Sequence, residues 1–478
     1  MTSYSLFRQG GCHFAYHLGA GRFIRVSPEA YDLLERRLNP SLPGSDKTEP
    51  GASTAYAGAL ADIAKLEAEG FFEPVETAFP DDEEFAAEFE KRYSGRLNRL
   101  VLSVSSRCNL ACRYCYCGIC RDEISGGGTM DEETAMRAVD GLFAAADPSS
   151  DIRVTFFGGE PLLAKALIRK VVERCNAWAG EHGVSAGYSI TTNATLMDEE
   201  TAKLIADNNF GLMVSLDGPQ ALHDSQCPTR SGEGSYASAV EGIRLLKKYR
   251  RKVTVRCTMA HPAPDAMALI RFFEDFGFTR IVLGTVSNPA FPSECDFTPE
   301  DHAAFARTMQ EEIIPWMLQR RAGGLENLYD PFEDIDGFQS EKKHPAKIPA
   351  LRCGACHGAM AVGPDGTLYP CHRFVGMEAW KMGTLDSGPD IGKCREFWRS
   401  YRAAVRGKCS GCWAQRVCKG PCPWEVAAAD GRFVGPERIC DETKTWIRQG
   451  VYYLNKVGEL GLDSKKENEN DYTQGIHR

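Results

Sequence analysis

Between Leu97 and about Val286 the chain alternates short apolar runs with helical patterns. The runs 100–105, 152–157, 188–192, 212–216, 253–259 and 280–285 are rich in β-branched and aromatic residues, and each predicts a strand. Gaps such as 161–180 and 235–249 carry helical periodicity. Such alternation predicts a parallel sheet covered by helices, and six units make an open or partial barrel. Chemistry in barrels of this kind gathers where the strands end. The unusual residues fall there. A cysteine run follows the first strand, Gly158-Gly159-Glu160-Pro161 follows the second, and Thr191-Thr192-Asn193 ends the third. Ser215-Leu216-Asp217-Gly218-Pro219 ends the fourth, Arg256 lies late in the fifth, and Gly284 ends the sixth.

The cysteine run reads CNLACRYCYCGIC from Cys108 to Cys120. Its first three cysteines, Cys108, Cys112 and Cys115, have the spacing C-x-x-x-C-x-x-C. A [4Fe–4S] cube takes four thiolates, one per iron. Three closely spaced ligands would leave one iron open, and an open position on a metal is where reactions occur. Cys117 and Cys120 allow another reading, in which Cys112, Cys115, Cys117 and Cys120 form a closed zinc-like set.

The chain of 478 residues has 19 cysteines, a formal charge of −9 and 25% charged residues. Length predicts two or three domains. The negative balance argues against a nucleic-acid partner, and no apolar stretch predicts a membrane span or export signal. A reducing cytoplasm is therefore the expected setting, where clustered cysteines read as metal ligands rather than disulfides.

Residues 1–96 read as a separate unit. Strands are predicted at 4–8, 12–17 and 22–26, with a helix capped by Ser27-Pro28-Glu29 and running through Leu34. A loop rich in Pro, Gly and Ser (39–54) leads to helical patterns at 56–70 and 81–92. Strands followed by helices resemble a small winged-helix module; a plain cap on the next domain is the alternative. Residues 97–300 hold the barrel, 301–350 a helical bridge with a polar loop, 351–463 a cysteine-rich unit, and 464–478 a tail expected to be disordered.

Cys108-x-x-x-Cys112-x-Tyr114-Cys115 is similar to the signature of the radical S-adenosylmethionine (SAM) enzymes. The resemblance implies a partial (β/α)6 barrel and a [4Fe–4S] cluster on the three cysteines, with SAM chelating the open iron. Reductive cleavage of SAM would then yield a 5′-deoxyadenosyl radical. It also implies that Tyr114 packs near adenine and that Gly158, Gly159 and Glu160 receive the methionine amine. Ser215 and Asp217 would meet the ribose, and Asn193 and Arg256 the ribose or carboxylate. Relatives often carry H-D-x-x-R before G-x-G. This chain has His223-Asp224-Ser225-Gln226-Cys227, with Gly232 and Gly234 in register, so cysteine stands where arginine is usual. His223 and Asp224 read as structural, and Cys227 is expected to face the substrate channel.

Cys353, Cys356, Gly366-x-x-x-x-Cys371, Cys409-x-x-Cys412-x-x-x-x-x-Cys418-x-x-x-Cys422 and Cys440 resemble the SPASM extension. Its likeness implies two auxiliary [4Fe–4S] clusters, giving three in all. Carried over by position, Cys353, Cys356, Cys371 and Cys422 would hold the inner one, and Cys409, Cys412, Cys418 and Cys440 the outer one. Structural zinc is the alternative. The remaining cysteines, Cys394 among them, read as small buried hydrophobes, and His372 as a neighbour of the inner cluster.

SPASM-type radical SAM enzymes mostly modify peptides and proteins. The N-terminal unit resembles the leader-recognition domain of ribosomal-peptide maturases, which adds the leader as a strand to a sheet edge. The segment from Tyr369 to Gly376 resembles thioether-forming maturases: those of ranthipeptides (SCIFF peptides) and of the quinohemoprotein amine dehydrogenase small subunit. These likenesses imply Cys thioether crosslinks to unactivated carbons, a peptide partner with a leader, and an electron donor such as flavodoxin or ferredoxin. They also imply an auxiliary cluster that accepts the leftover electron. Carbon–carbon crosslinking, formylglycine formation and a non-catalytic iron–sulfur or zinc scaffold are the alternatives. No catalytic base can be singled out.

Overall fold

A computed structural model describes residues 4–17, 22–39, 54–73, 81–92, 97–115, 128–250, 252–287, 292–336 and 353–462. Cys117, Cys120, most of the expected 39–54 loop and the expected disordered tail lie outside the described residues.

Six parallel strands form the heart of the molecule: β4 (Arg99–Ser105), β5 (Ile152–Gly158), β6 (Ala186–Thr192), β7 (Gly211–Ser215), β8 (Thr254–Met259) and β9 (Arg280–Thr285). They pair in chain order. Helices Glu132–Ala145, Lys165–His182, Tyr236–Tyr249 and Ala266–Asp275 cover them, as the alternation predicts. Their buried faces carry the 3.6-residue period: Ala239, Val240, Ile243 and Leu246 on one, Leu269, Ile270 and Phe273 on another. Side chains such as Leu102, Val154, Ile190, Val214 and Val255 are 0–2% exposed and fill the space between sheet and helices.

The sheet continues past the six expected strands. β10 (Ala359–Val362), from the cysteine-rich region, pairs parallel with β4, Ala359 opposite Arg99. β11 (Thr367–Tyr369), β12 (Gly383–Thr384) and β13 (Gly388–Pro389) extend it to ten strands. Pro364-Asp365-Gly366 makes the turn between β10 and β11, with Gly366 at φ +78°. The cysteine-rich region is therefore built onto the barrel edge.

At the N-terminus, β1 (Tyr4–Gln9), β2 (Cys12–His17) and β3 (Arg22–Val26) form an antiparallel sheet in the order β1-β2-β3. Helices Pro28–Leu38, Thr54–Ala68 and Asp82–Arg92 follow. Ser27 caps the first, its hydroxyl accepting from Ala30 N at 3.1 Å. Strand alternation splits the side chains between two faces. Tyr4 and Ala15 pack with Leu34, Leu66 and Phe71 of the following segment, while Phe7, Cys12, Phe14 and Tyr16 join the main core.

The expected helical bridge begins as Pro299–Thr308 and Ile314–Ala322, joined by a π-helical turn at Met309–Ile313. Among the described residues no helix is long and apolar enough to cross a membrane.

Candidate functional site

The cysteine loop after β4 is braced by the segment that follows the helix Gln220–Gln226 and by the end of β6. Ala111 N donates to Pro228 O at 2.8 Å and Arg113 N to Gln226 O at 2.9 Å. Arg230 Nε donates to Cys108 O at 2.7 Å. Asn193 Nδ2 donates to Asn109 Oδ1 at 3.0 Å, and Asn109 Nδ2 to Thr195 Oγ1 at 2.7 Å. Asn193 thus reaches the root of the cysteine loop, its Nδ2 lying 3.8 Å from Cys108 Sγ.

Gly158 and Gly159 set this root from the other side. A Cβ on Gly158, at φ +136°, would lie 2.2 Å from Ser105 O, and one on Gly159 2.2 Å from Arg107 O. Gly159 N donates to Ser105 O at 2.7 Å and Glu160 N to Arg107 O at 2.9 Å. The glycines thus allow the turn to close on the backbone leading into Cys108. Glu160, 1% exposed, accepts from Leu162 N (2.9 Å), Thr192 Oγ1 (2.7 Å) and Asn193 N (2.8 Å). Burial nonetheless pushes its carboxyl up. Glu160 is a clasp between the β5 and β6 ends.

Asp217, 2% exposed, anchors a second network. Its Oδ2 accepts from Tyr114 Oη at 2.6 Å and the Cys227 thiol at 3.4 Å, and its Oδ1 from Thr258 N at 2.9 Å. Asp217 N donates to His223 Nδ1 at 3.1 Å; the other ring nitrogen meets Ser235 Oγ at 3.0 Å, which donates to Cys227 O at 2.5 Å. Because Nδ1 accepts, the neutral ring carries its proton on Nε2, and burial favours that neutral form. His223 is structural, as expected, and so is Asp224, which accepts from Tyr236 N at 2.8 Å. Gly234 leaves room for Asp224, whose carboxyl would lie 2.5 Å from an added Cβ. Cys227, expected to face the substrate channel, is 3% exposed among the described residues and held against Tyr114 and Asp217.

Tyr114 packs beside Ala260, Val286 and Cys295 with its hydroxyl on Asp217. Ser215 ends β7 directly opposite Arg256 on β8. The Arg256 guanidinium lies over Gly284, 3.0 Å from where a Cβ would stand. His372 comes from beyond β11 to pack its ring 4.2 Å from Phe157. Burial, then the charges of Arg373 and Arg256, hold its imidazole down to about 3. One rim therefore gathers Cys108, Cys112, Cys115, Tyr114, the glycine turn, Asn193, Ser215, Asp217 and Arg256.

The C-terminal cysteines fall into two groups. Burial pushes the Cys371 thiol up to about 12, and Cys422 and Cys353 add to the rise. Cys356, 0% exposed and at φ +64°, is raised by burial, by a thiol hydrogen bond with Cys394 and by Cys371 and Cys353. Cys371 thus has Cys353, Cys356 and Cys422 of the expected inner set near it, and Cys394, read as a buried small side chain and 0% exposed, lies beside Cys356. In the second group Cys440 is raised by burial and by Cys412 and Cys418, against Lys444. Cys409 ends the helix Ile391–Cys409, and its carbonyl accepts from Cys412 N at 3.1 Å.

Thiols that resist ionisation when buried together suit sites completed by metal charge, which takes the place of the protons. Among the described residues no three His, Cys, Asp or Glu side chains close around a single ion. A [4Fe–4S] cube takes four thiolates, one per iron, and each C-terminal group offers four cysteines of the expected sets. Sequence reading missed Thr258 and Ser235, whose contacts are long-range and leave no local pattern.

The radical SAM superfamily matches residues 102–273, which span β4 to the helix before β9. A serine-type anaerobic sulfatase-maturating enzyme of Bacteroides thetaiotaomicron is 30% identical over 353 residues, 68% of this chain and 82% of that protein. A cysteine-type anaerobic sulfatase-maturating enzyme of Clostridium novyi is 25% identical over 76% of this chain and 97% of that one. The solved structure of native anSMEcpe with bound AdoMet and Cp18Cys peptide superposes with a TM-score of 0.62 at 20% identity. It covers 76% of this chain and 99% of its own. With the cysteine loop on a rim of six parallel strands, these likenesses make the chain a member of the radical SAM superfamily.

Proposed function

We propose that this enzyme modifies a peptide or small protein, joining Cys sulfur to unactivated carbon as thioether crosslinks. Cys108, Cys112 and Cys115 would hold a [4Fe–4S] cluster, with SAM lying along Gly158, Gly159, Glu160, Asn193, Ser215, Asp217 and Arg256. Together the cluster and SAM would supply a 5′-deoxyadenosyl radical that removes one hydrogen atom from a substrate carbon. The chain's own residues do the positioning. Arg256 offers a cation at the rim, suited to a carboxylate. Glu160 and Asp217 spend most of their oxygens on the protein, so they fix the rim's shape, leaving Ser215 and backbone groups to meet a ribose. Closure of the carbon radical on a thiol forms one S–C bond and releases a proton and one electron. That electron equals the one consumed in cleaving SAM, so no further oxidant is needed. Cys353, Cys356, Cys371 and Cys422, and Cys409, Cys412, Cys418 and Cys440, would hold two auxiliary clusters.

The observation that carries the thioether reading is the N-terminal sheet with its three helices. Among the described residues β3 pairs on one side only, with β2, so its outer edge can take a peptide as an added strand. About a quarter of this chain has no counterpart in anSMEcpe, which is itself covered almost completely. A second reading, formylglycine formation, is favoured by the names of the relatives.

One experiment separates them. Reduced, reconstituted enzyme is incubated with SAM and candidate peptides, and peptide mass, free thiols and carbonyls are measured. Thioether formation removes two hydrogens and one titratable thiol per crosslink. A product that reacts with hydrazine and keeps its other thiols would establish formylglycine instead.

A further inference from the structure

The inner face of the N-terminal sheet lies on the loop that carries the outer cysteine group. Phe7 stacks on Trp413 with ring centroids 5.7 Å apart, and Tyr16 meets the same ring edge-on at 5.9 Å. Trp413 directly follows Cys412. The Arg448 guanidinium stands 5.6 Å over the Trp413 ring. Strands from the start of the chain are thereby locked onto cysteines near its end.

Tyr16 is 0% exposed, and its hydroxyl has no hydrogen-bond partner among the described residues. Gln415, 4% exposed, has partners for neither its amide nitrogen nor its amide oxygen. Gln415 lies between Cys412 and Cys418, its N–H donating to Cys412 O at 3.1 Å. Arg416, and after it Cys412, are the groups whose charges act on the Tyr16 phenol. A buried donor without an acceptor is costly and rare. Two such groups around one cysteine loop point to an acceptor held there, and the sulfurs of an iron–sulfur group are acceptors of that kind.

We propose that Tyr16 donates a hydrogen bond to the outer iron–sulfur group on Cys409, Cys412, Cys418 and Cys440, so that the N-terminal sheet tunes that group. The proposal rests on the outer-cluster reading above. Reduction makes a cluster more negative, so a donor to its sulfurs favours the reduced form and raises the potential. Tyr16 is then a positioning and tuning residue rather than a catalytic one. A peptide added to β3 would act on the same three-stranded sheet, since Phe23 of β3 stacks on Tyr16 at 4.4 Å.

The test uses full-length reconstituted protein in which Cys108, Cys112 and Cys115 are replaced by alanine, leaving only the C-terminal groups to titrate. Tyr16→Phe removes one oxygen and keeps the ring. Iron content and thermal unfolding should be unchanged. The reduction equilibrium of one group should move about tenfold toward the oxidised form, ~59 mV for a one-electron couple. An exchangeable-proton hyperfine coupling on that reduced group should disappear, and the other group should be unaffected. Unchanged potentials and coupling would overturn the assignment. Cys412→Ala keeps the two levels apart. If it loses about one cluster of iron while Tyr16→Phe has no effect, only the role of Tyr16 falls. If it keeps all of its iron, the outer cluster falls too.

Discussion

The two cysteine regions are held in place by different forces. The rim loop is fixed by hydrogen bonds: Pro228, Gln226, Arg230 and the glycine turn reach its backbone, and Asn193 reaches the Asn109 side chain. Its cysteines are only partly buried. The C-terminal region is fixed by aromatic packing. Phe374, Trp380, Phe397, Trp398, Trp424 and Phe433 form a continuous ring cluster, with Phe374 and Trp380 4.9 Å apart. Hydrogen bonds to a rigid sheet give a loop a preset shape, whatever it later binds. A loop region packed around aromatics makes fold and ligand binding depend on each other.

The largest difference should come from Trp398→Ala. Trp398 is 0% exposed, and its Nε1 donates to Ala355 O at 2.8 Å, beside Cys356. The loss should be about 3–5 kcal/mol, with C-terminal iron lost as well, read by denaturant melts and iron counts. Gly159→Ala comes next. Its Cβ would meet the Arg107 carbonyl, so the expected cost is about 1–3 kcal/mol of overpacking, together with loss of reductive SAM cleavage. Tyr114→Phe removes one donor to buried Asp217 and should cost about 1 kcal/mol, while weakening SAM binding measured by calorimetry. Cys112→Ala is the sharpest probe. It should abolish SAM cleavage yet change stability by about 1 kcal/mol or less. A melt as damaged as that of Trp398→Ala would end the distinction between the regions.

The smallest effect is one of pH. Asp301 caps the helix Pro299–Thr308. Burial pushes its carboxyl up, but bonds from Thr298, His261 and Ala263 outweigh burial and hold it down to about 2. A depressed folded value adds stability above the ordinary carboxylate range, lost as pH falls toward 2. Asp301→Asn should flatten the acid limb of the stability curve in that window.

The barrel was legible because each strand is an apolar run long enough to declare itself; 280–285 agrees with β9 residue for residue. The N-terminal strands were equally plain, bounded by glycines and by a serine cap. β10 was not, because Ala359–Val362 is four residues long and its pairing with β4 depends on a distant partner. Pro364-Asp365-Gly366 was the available hint of a hairpin. Motif spacing found the rim residues but not their contacts. Glu160 and Asp217 read as cofactor contacts from their motifs; the hydrogen bonds that tie them to Leu162, Thr192, Asn193, Tyr114, Cys227 and Thr258 left no local pattern to read. Cys394 is fully buried in the core, as its reading as a small buried hydrophobe expects; only its nearness to Cys356 left no mark on cysteine spacing, because it comes from a helix position.

The pairing of β10 with β4 also bears on synthesis. Ala359 leaves the ribosome about 260 residues after Arg99, a delay of roughly 13–50 s at typical elongation rates. Throughout it, the first barrel strand offers the nascent chain an unpaired edge, the kind of surface that invites wrong pairing. Expression strains that slow translation, or fragments ending before Ala359, should therefore accumulate insoluble protein even when every residue of the barrel is present.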